Sequence, residues 1–199
     1  GPWTGRDKLE AQDLKGRNLL LIGFGRIGQH IADMVTGFGM DVRAHDPFLL
    51  RSGWPDCPVE PVSSLEEGLG WADIISVNVP RAEKPVLGAA EFAQMRDGTI
   101  LVNTARGGTV DEAALVDALQ SGRVAAAGLD VFDKEPIGPG HPLTAFDQVL
   151  LSPHIAGVTD GASERMAIGS AQNIIDYFDG RIAPELVVNR AALGGKVGA

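Results

Sequence analysis

The sequence predicts an α/β protein built on a doubly wound parallel sheet, and three observations predict it. Short, continuously apolar runs recur six times along the 199 residues. Segments with helical spacing or helix-start signals stand between them, and the connections are short. Parallel neighbours need a crossover element, and a sheet covered on both faces has strands that are apolar throughout instead of alternating.

The elements follow in order. NLLLIG (18–23) ends on glycine and reads as a buried strand. RIGQHIADMVTGFG (26–39) places Ile27, Ile31, Met34, Val35 and Phe38 at helical spacing and closes on glycines. MDVRAHD (40–46) is the second strand, and DIISVNVP (73–80), stopped by its proline, is the third. GTILVNTARGG (98–108) is the fourth. The helix DEAALVDALQSGR (111–123) follows, and its Asp111 and Glu112 suit the positive N-terminal end of a helix dipole. VAAAGLDVF (124–132) and QVLLSP (148–153) are the fifth and sixth strands, and a long helix covers about 162–179. WPDCPVEP (54–61), which holds the single cysteine, Cys57, reads as a loop. No repeat, low-complexity tract or interior linker interrupts the pattern. One domain over 5–187 therefore accounts for nearly the whole chain, with 188–199 a hinge return and glycine-rich tail.

Composition narrows the function. Hydrophobic residues make up 44% and glycines number 26, enough for a core and for helices to pack closely on a sheet. The formal charge of −9 leaves no basic field for a phosphate backbone, which argues against nucleic acid and anionic membrane as partners. No run of about 18–20 apolar residues is present to span a bilayer. Without a secretory signal pattern, a cytoplasmic location is expected. One cysteine forms no internal disulfide, and no metal site is expected. The chain opens on Gly1-Pro2 without a methionine, a dipeptide that protease cleavage leaves behind and native sequence equally supplies.

GFGRIG lies between a predicted strand and a predicted helix, the context that gives a glycine-rich hexapeptide its meaning. Gly23 permits a tight turn, Gly25 lets backbone amides approach a pyrophosphate, and Gly28 lets the helix pack on the strand. The helix N-terminus then offers partial positive charge to the phosphates. Asp46 closes the second strand about 20 residues further on, where a carboxylate accepts hydrogen bonds from both ribose hydroxyls. It also repels a 2′-phosphate, and Pro47 and Phe48 follow it in place of an arginine. The expected cofactor is NAD, on a Rossmann-type dinucleotide-binding domain.

Ligands of open parallel sheets bind at the carboxyl ends of the strands. Every candidate for chemistry falls there: the glycine loop, Asp46, VNVPRA, NTARGG with Arg106, LDVFDKEP with Asp130 and Glu135, and SPHIAG with His154. Arg106 carries a planar fork that can grip a carboxylate. Glu135, if close to His154, would favour the imidazolium and fix which ring nitrogen faces outward. Asp130 could bond a nicotinamide carboxamide. Taken singly, each has an ordinary alternative: a core histidine, a surface ion pair, a solvated loop carboxylate, a turn-forming Asp.

The chain resembles the NAD-binding domain of the D-isomer-specific 2-hydroxyacid dehydrogenases in GFGRIG, HDP, VNTARGGTVDEAALVDAL, GLDVFDKEP and LLSPHIAG. The resemblance implies that His154 is the acid/base, Glu135 its carboxylate partner and Arg106 the substrate-orienting cation. It also implies an NAD site lined by Gly23, Gly25, Arg26, Ile27, Gly28, Asp46, Val79, Pro80, Thr104, Arg106, Asp130, His154 and Gly157. The implied chemistry is hydride transfer between NAD(H) and a small anionic 2-hydroxy or 2-oxo acid. Substrates of the 3-phosphoglycerate or glyoxylate/hydroxypyruvate kind are favoured, and the implied assembly is a homodimer formed through this domain.

The chain departs from the family in two ways. PRAEKPVLG (80–88) is shorter than the family's loop after the third strand and carries Arg81 where the family commonly has leucine. Family members also have a second, smaller domain, mostly N-terminal, that closes over the substrate. Here the glycine loop begins at Gly23, and GRIAPELVVNR resembles the return to that domain. The expectation is a cofactor domain from a longer enzyme, one that binds NAD alone but turns over poorly without water-excluding closure. The same residues also suit an NAD(H)-sensing, co-repressor-like interaction protein, against which the lack of basic or low-complexity segments weighs.

Overall fold

Seven parallel strands, one more than the sequence predicts, form a sheet in the order β3-β2-β1-β4-β5-β6-β7. They belong to a computed structural model that describes residues 12–189. The expected domain start at residue 5 and the tail beyond 189 lie outside the described residues. The chain divides into two compact units between His154 and Ile155.

The first unit runs β1 (Asn18–Ile22), α1 (Arg26–Thr36), β2 (Asp41–His45), α2 (Pro47–Ser52), β3 (Glu60–Pro61) and α3 (Leu65–Trp71). It continues with β4 (Ile74–Val77), α4 (Ala89–Gln94), β5 (Thr99–Asn103), α5 (Glu112–Gln120), β6 (Val124–Leu129) and β7 (Val149–Leu151). β1 is paired on both sides, with β2 and with β4. It therefore marks the point from which the sheet is built outward in both directions.

The additional strand, β3, pairs only Arg43 with Glu60 and Ala44 with Pro61. Two residues carry no periodicity, and a proline is tolerated because β3 is an edge. The other strands stop earlier than their apolar runs do. β4 ends at Val77 and not Pro80, β5 at Asn103 and not Gly108, β6 at Leu129 and not Phe132. In each case the residues past the ladder lie outside the strand, and these include candidate site residues.

Alternate residues of β1 enter two cores. Leu20 and Ile22 join Leu69, Ile75, Leu101, Leu115 and Phe132, while Leu19 and Leu21 join Phe24, Ala32, Ala44 and Val59. Burial on both faces is the physical content of a doubly wound sheet. Truncating Leu20, which is fully buried, would cost about 2–5 kcal/mol.

The second unit contains α6 (Asp160–Phe178), capped by Thr159, whose hydroxyl accepts from the Ala162 amide at 3.0 Å. Arg181 pairs with Asp176 and Asp179 just beyond it. Among the described residues no helix is long and apolar enough to cross a membrane. Nor do they contain any group of His, Cys, Asp and Glu that could hold a metal ion.

Candidate active site

The glycine loop leaves β1 at the middle of the sheet. The Gly23 amide donates to the His45 carbonyl of β2, and Asn78, just past β4, donates its amide to Ile22. Gly23 has φ +92°, and a Cβ there would stand 2.7 Å from the Asn78 carbonyl oxygen. A Cβ on Gly28 would stand 2.5 Å from the Gly23 carbonyl oxygen. Both glycines are required by the protein's own packing. Gly25 differs, because a Cβ there meets nothing within 4 Å. Its lack of a side chain leaves space for something other than protein.

α1 begins directly after this loop with no side-chain cap and no acidic residue in its first turn. Its positive end is left for an anion. Asp46 does more than the sequence indicated. Its Oδ2 accepts from the Phe24 amide of the glycine loop at 3.0 Å, and its Oδ1 from Phe48 and Leu49 at 3.0 and 3.1 Å. A carboxylate offers about four lone-pair directions, so part of its capacity remains for a ribose hydroxyl. Beside it an apolar cavity of about 280 Å³ is lined by Ile22, His45, Leu65, Val79 and Pro80 among others. Asn78 Oδ1, one residue before Val79, is buried without a hydrogen-bond partner among the described residues. The open face of Gly25, the uncapped helix and the unsatisfied buried oxygen fit a dinucleotide with its phosphates on α1.

Arg106 follows β5 on a turn held from below. Buried Asn103 accepts the Ala105 amide on Oδ1 at 3.1 Å and donates from Nδ2 to the Thr109 hydroxyl at 3.1 Å. That hydroxyl in turn donates to the Arg106 carbonyl at 2.6 Å. Thr104 and Arg106 are exposed on the turn. A Cβ on Gly107 would collide with the Phe132 carbonyl, so the turns after β5 and β6 touch through a residue that must be glycine. Gly108, at φ +78°, lies under the Arg81 guanidinium, whose Nε, Cζ and Nη2 stand 3.1–3.3 Å from where its Cβ would be. Neither Arg81 nor Arg106 has an ion-pair partner among the described residues.

The turn after β6 brings Glu135 to His154. Glu135 Oε2 lies 2.8 Å from His154 Nδ1, and Glu135 Oε1 accepts the Phe132 amide at 2.9 Å. The His154 bond first, then the Phe132 amide, hold the Glu135 carboxyl below the usual carboxylate range. His154 Nε2 carries no hydrogen bond among the described residues. The backbone at His154 sits at φ +56°, the sole described non-glycine residue with positive φ. A cavity of about 540 Å³ opens beside the pair, walled by Phe132, Pro136, Ile137, Leu151 and Pro153. Asp130 is buried at 3% exposure and accepts the Ser152 hydroxyl at 2.5 Å. Gly157 belongs to the second unit.

Sequence reasoning missed Asn78, the Asn103–Thr109 network and Gly107. A buried asparagine ending an apolar strand, and a second glycine after an arginine, were the available signals.

A parallel sheet whose order reverses beside β1, with a glycine loop and an uncapped helix at that point, defines a dinucleotide-binding α/β domain. The chain belongs to the D-isomer specific 2-hydroxyacid dehydrogenase family, whose NAD binding domain matches residues 1–156. It is 41% identical over 177 residues to a glyoxylate reductase of Aeropyrum pernix, covering 88% of this chain and 52% of that one. It is 39% identical over 182 residues to a D-3-phosphoglycerate dehydrogenase of Archaeoglobus fulgidus, covering 90% and 34%. The holo D-mandelate dehydrogenase of Rhodotorula graminis superposes with a TM-score of 0.76 at 33% identity, covering 84% of this chain and 49% of that one. The chain thus spans about half, or less, of the length of these relatives.

Proposed function

We propose that residues 5–187 serve as the cofactor domain of an NAD-dependent D-2-hydroxyacid dehydrogenase, completed in a longer enzyme by a substrate domain. The observation that carries this reading is the His154–Glu135 pair, 2.8 Å apart at the wall of an apolar cavity, with Nε2 unengaged. When bound, the reduced nicotinamide supplies a hydride to C2 of a 2-oxo acid. Protonated His154 gives the Nε2 proton to the carbonyl oxygen, while Glu135 holds Nδ1 and keeps the ring facing one way. Arg106 grips the carboxylate with its fork. In the oxidative direction neutral His154 takes the proton back. Gly25, Arg26 and Ile27 at the start of α1 receive the pyrophosphate, and Asp46 a ribose hydroxyl. Val79, Pro80, Thr104 and Asp130 complete the cofactor's surroundings within the first unit.

Glyoxylate, hydroxypyruvate and 3-phosphoglycerate are the favoured substrate kinds, supported by what the relatives' names say of them. The unpaired Arg81 favours an acid carrying a second anion. A cytoplasmic homodimer formed through this domain is the proposed setting. The test is steady-state kinetics of the full-length enzyme with a panel of 2-oxo acids. Positioned acid–base groups contribute about 10²–10⁴-fold, so His154→Gln should lower kcat by that much with NADH affinity near normal. A kcat within a few-fold of wild type would overturn the assignment. Tight NADH binding with sluggish turnover of every acid would point instead to a sensor.

A further inference from the structure

The turn Phe132–Glu135 hangs off the end of β6, and two successive amides of it are each taken by a carboxylate. Phe132 donates to Glu135 Oε1 at 2.9 Å. Asp133 donates to Glu112 Oε1 at 2.8 Å, a residue 21 positions earlier at the start of α5. The other oxygen of Glu112 meets His141 Nε2 at 3.2 Å. His141 is itself fixed: its Nδ1 accepts the Leu143 amide at 3.4 Å, and Leu143 is fully buried. The Phe132 ring stands edge-on to the His141 imidazole, centroids 6.1 Å apart. An Nδ1 that accepts leaves the neutral ring's proton on Nε2, aimed at Glu112. One tautomer therefore satisfies every contact.

A second imidazole–carboxylate pair thus lies beside the first, and it is the more sheltered of the two. The side chains of His141 and Glu112 are 20% and 22% exposed, against 50% and 35% for His154 and Glu135. Its outlet is the amide next to the one that holds Glu135. The Asp133 amide belongs to the peptide unit that follows Phe132, so freeing it would let the whole 132–135 turn shift, loosen the Phe132–Glu135 bond and draw Glu135 Oε2 away from His154. A catalytic group displaced by about 1 Å can lose on the order of 10²-fold in rate.

We propose that Glu112 and His141 are positioning residues, which clamp the 132–135 turn through the Asp133 amide and so hold Glu135 against His154. The proposal rests on the roles given above to His154 and Glu135, but its test reads Glu135 directly and needs no turnover. The charged groups that bear on Glu135 are His154 and Asp130.

The experiment is a carboxyl-carbon NMR titration of Glu135 in this 199-residue chain and in Glu112→Ala, Glu112→Gln and Glu112→Asp, with Tm measured alongside. Removing the Glu112 charge alone would draw the Glu135 midpoint further down. Loss of the clamp moves it up, towards an ordinary glutamate, so the sign separates the two effects. Expected are an upward move in Glu112→Ala and in Glu112→Asp, whose shorter side chain cannot reach the Asp133 amide. Glu112→Gln, which keeps the accepting oxygen, should stay low. Glu112→Asp also keeps the test alive if the alanine variant does not fold. A fall in Tm with Glu135 unmoved in both variants would overturn the proposal. An inert His154→Gln in the full-length enzyme would sink the underlying reading while leaving the clamp standing.

Discussion

His154 stands at φ +56°, a conformation that costs a non-glycine residue about 1–2 kcal/mol. Histidine is among the side chains that adopt it more readily, and strain of this kind gathers where a side chain must be aimed. The sequence could not show this angle. It did mark His154, Glu135 and Arg106 as candidates, because each follows an apolar strand that ends in the sheet. The Glu112–His141 pair was not legible, since 29 positions separate partners that only the fold brings together. A pH dependence belongs to this scale. Because the folded state lowers the Glu135 carboxyl, its contribution to stability is full above the unfolded-state value, about 4.3. That contribution is lost as pH falls through the lower folded value. Glu67, lowered by the Ser63 hydroxyl and amide, behaves alike. Glu135→Gln should therefore lose less stability than wild type between pH 7 and pH values below about 4. Urea midpoints at the two ends would show it, and equal losses in both proteins would refute it.

The longest elements were the legible ones. α1 announced itself by spacing and α6 as a long segment, whereas α2, α3 and α4 run only six or seven residues, too few for a periodic pattern. Their start signals were nevertheless present. Asp46-Pro47 caps α2, and Ser64 with Glu67 caps α3, the Glu67 amide donating to the Ser64 hydroxyl at 3.1 Å. The glycine loop shows how one motif divides its labour between folding and ligand. Gly28→Ala places a methyl against the Gly23 carbonyl, 2.5 Å away, and should lower Tm markedly. Gly25→Ala meets nothing within 4 Å, so its Tm should stay within a few degrees. Its NADH affinity should fall by about ten-fold or more, because the added methyl stands where the pyrophosphate must approach the backbone. Fluorescence titration with NADH and a melting curve for each variant decide the matter. Equal affinity in Gly25→Ala and wild type would move the phosphates elsewhere.

At the scale of the molecule, the parallel, doubly wound class of the sheet was the most legible property, since strand–helix alternation leaves few topologies. Net charge was the least informative about the site. The chain carries −9, yet Arg26, Arg81 and Arg106 are exposed at the ligand edge with no ion-pair partner among the described residues. If these residues hold the cofactor unaided, NADH should stabilise this chain by mass action. At 100 times its Kd the gain is about 2.7 kcal/mol, which at this length raises Tm by roughly 5–10 °C. Thermal melts across an NADH series would measure it, and an unmoved Tm would mean that the site is completed elsewhere.

The contact between Gly107 and the Phe132 carbonyl makes one residue, Phe132, a spacer. Arg106 stands on one side of it, and on the other the Phe132 amide is tied to Glu135 and so to His154. Phe132 thus stands between Arg106, proposed to grip a carboxylate, and His154, proposed to protonate the neighbouring carbonyl. Those two functions sit on adjacent carbons in every 2-oxo acid. On the roles proposed above, the Arg106–His154 spacing gauges only the head of the substrate, and a second anion beyond C2 is left to Arg81.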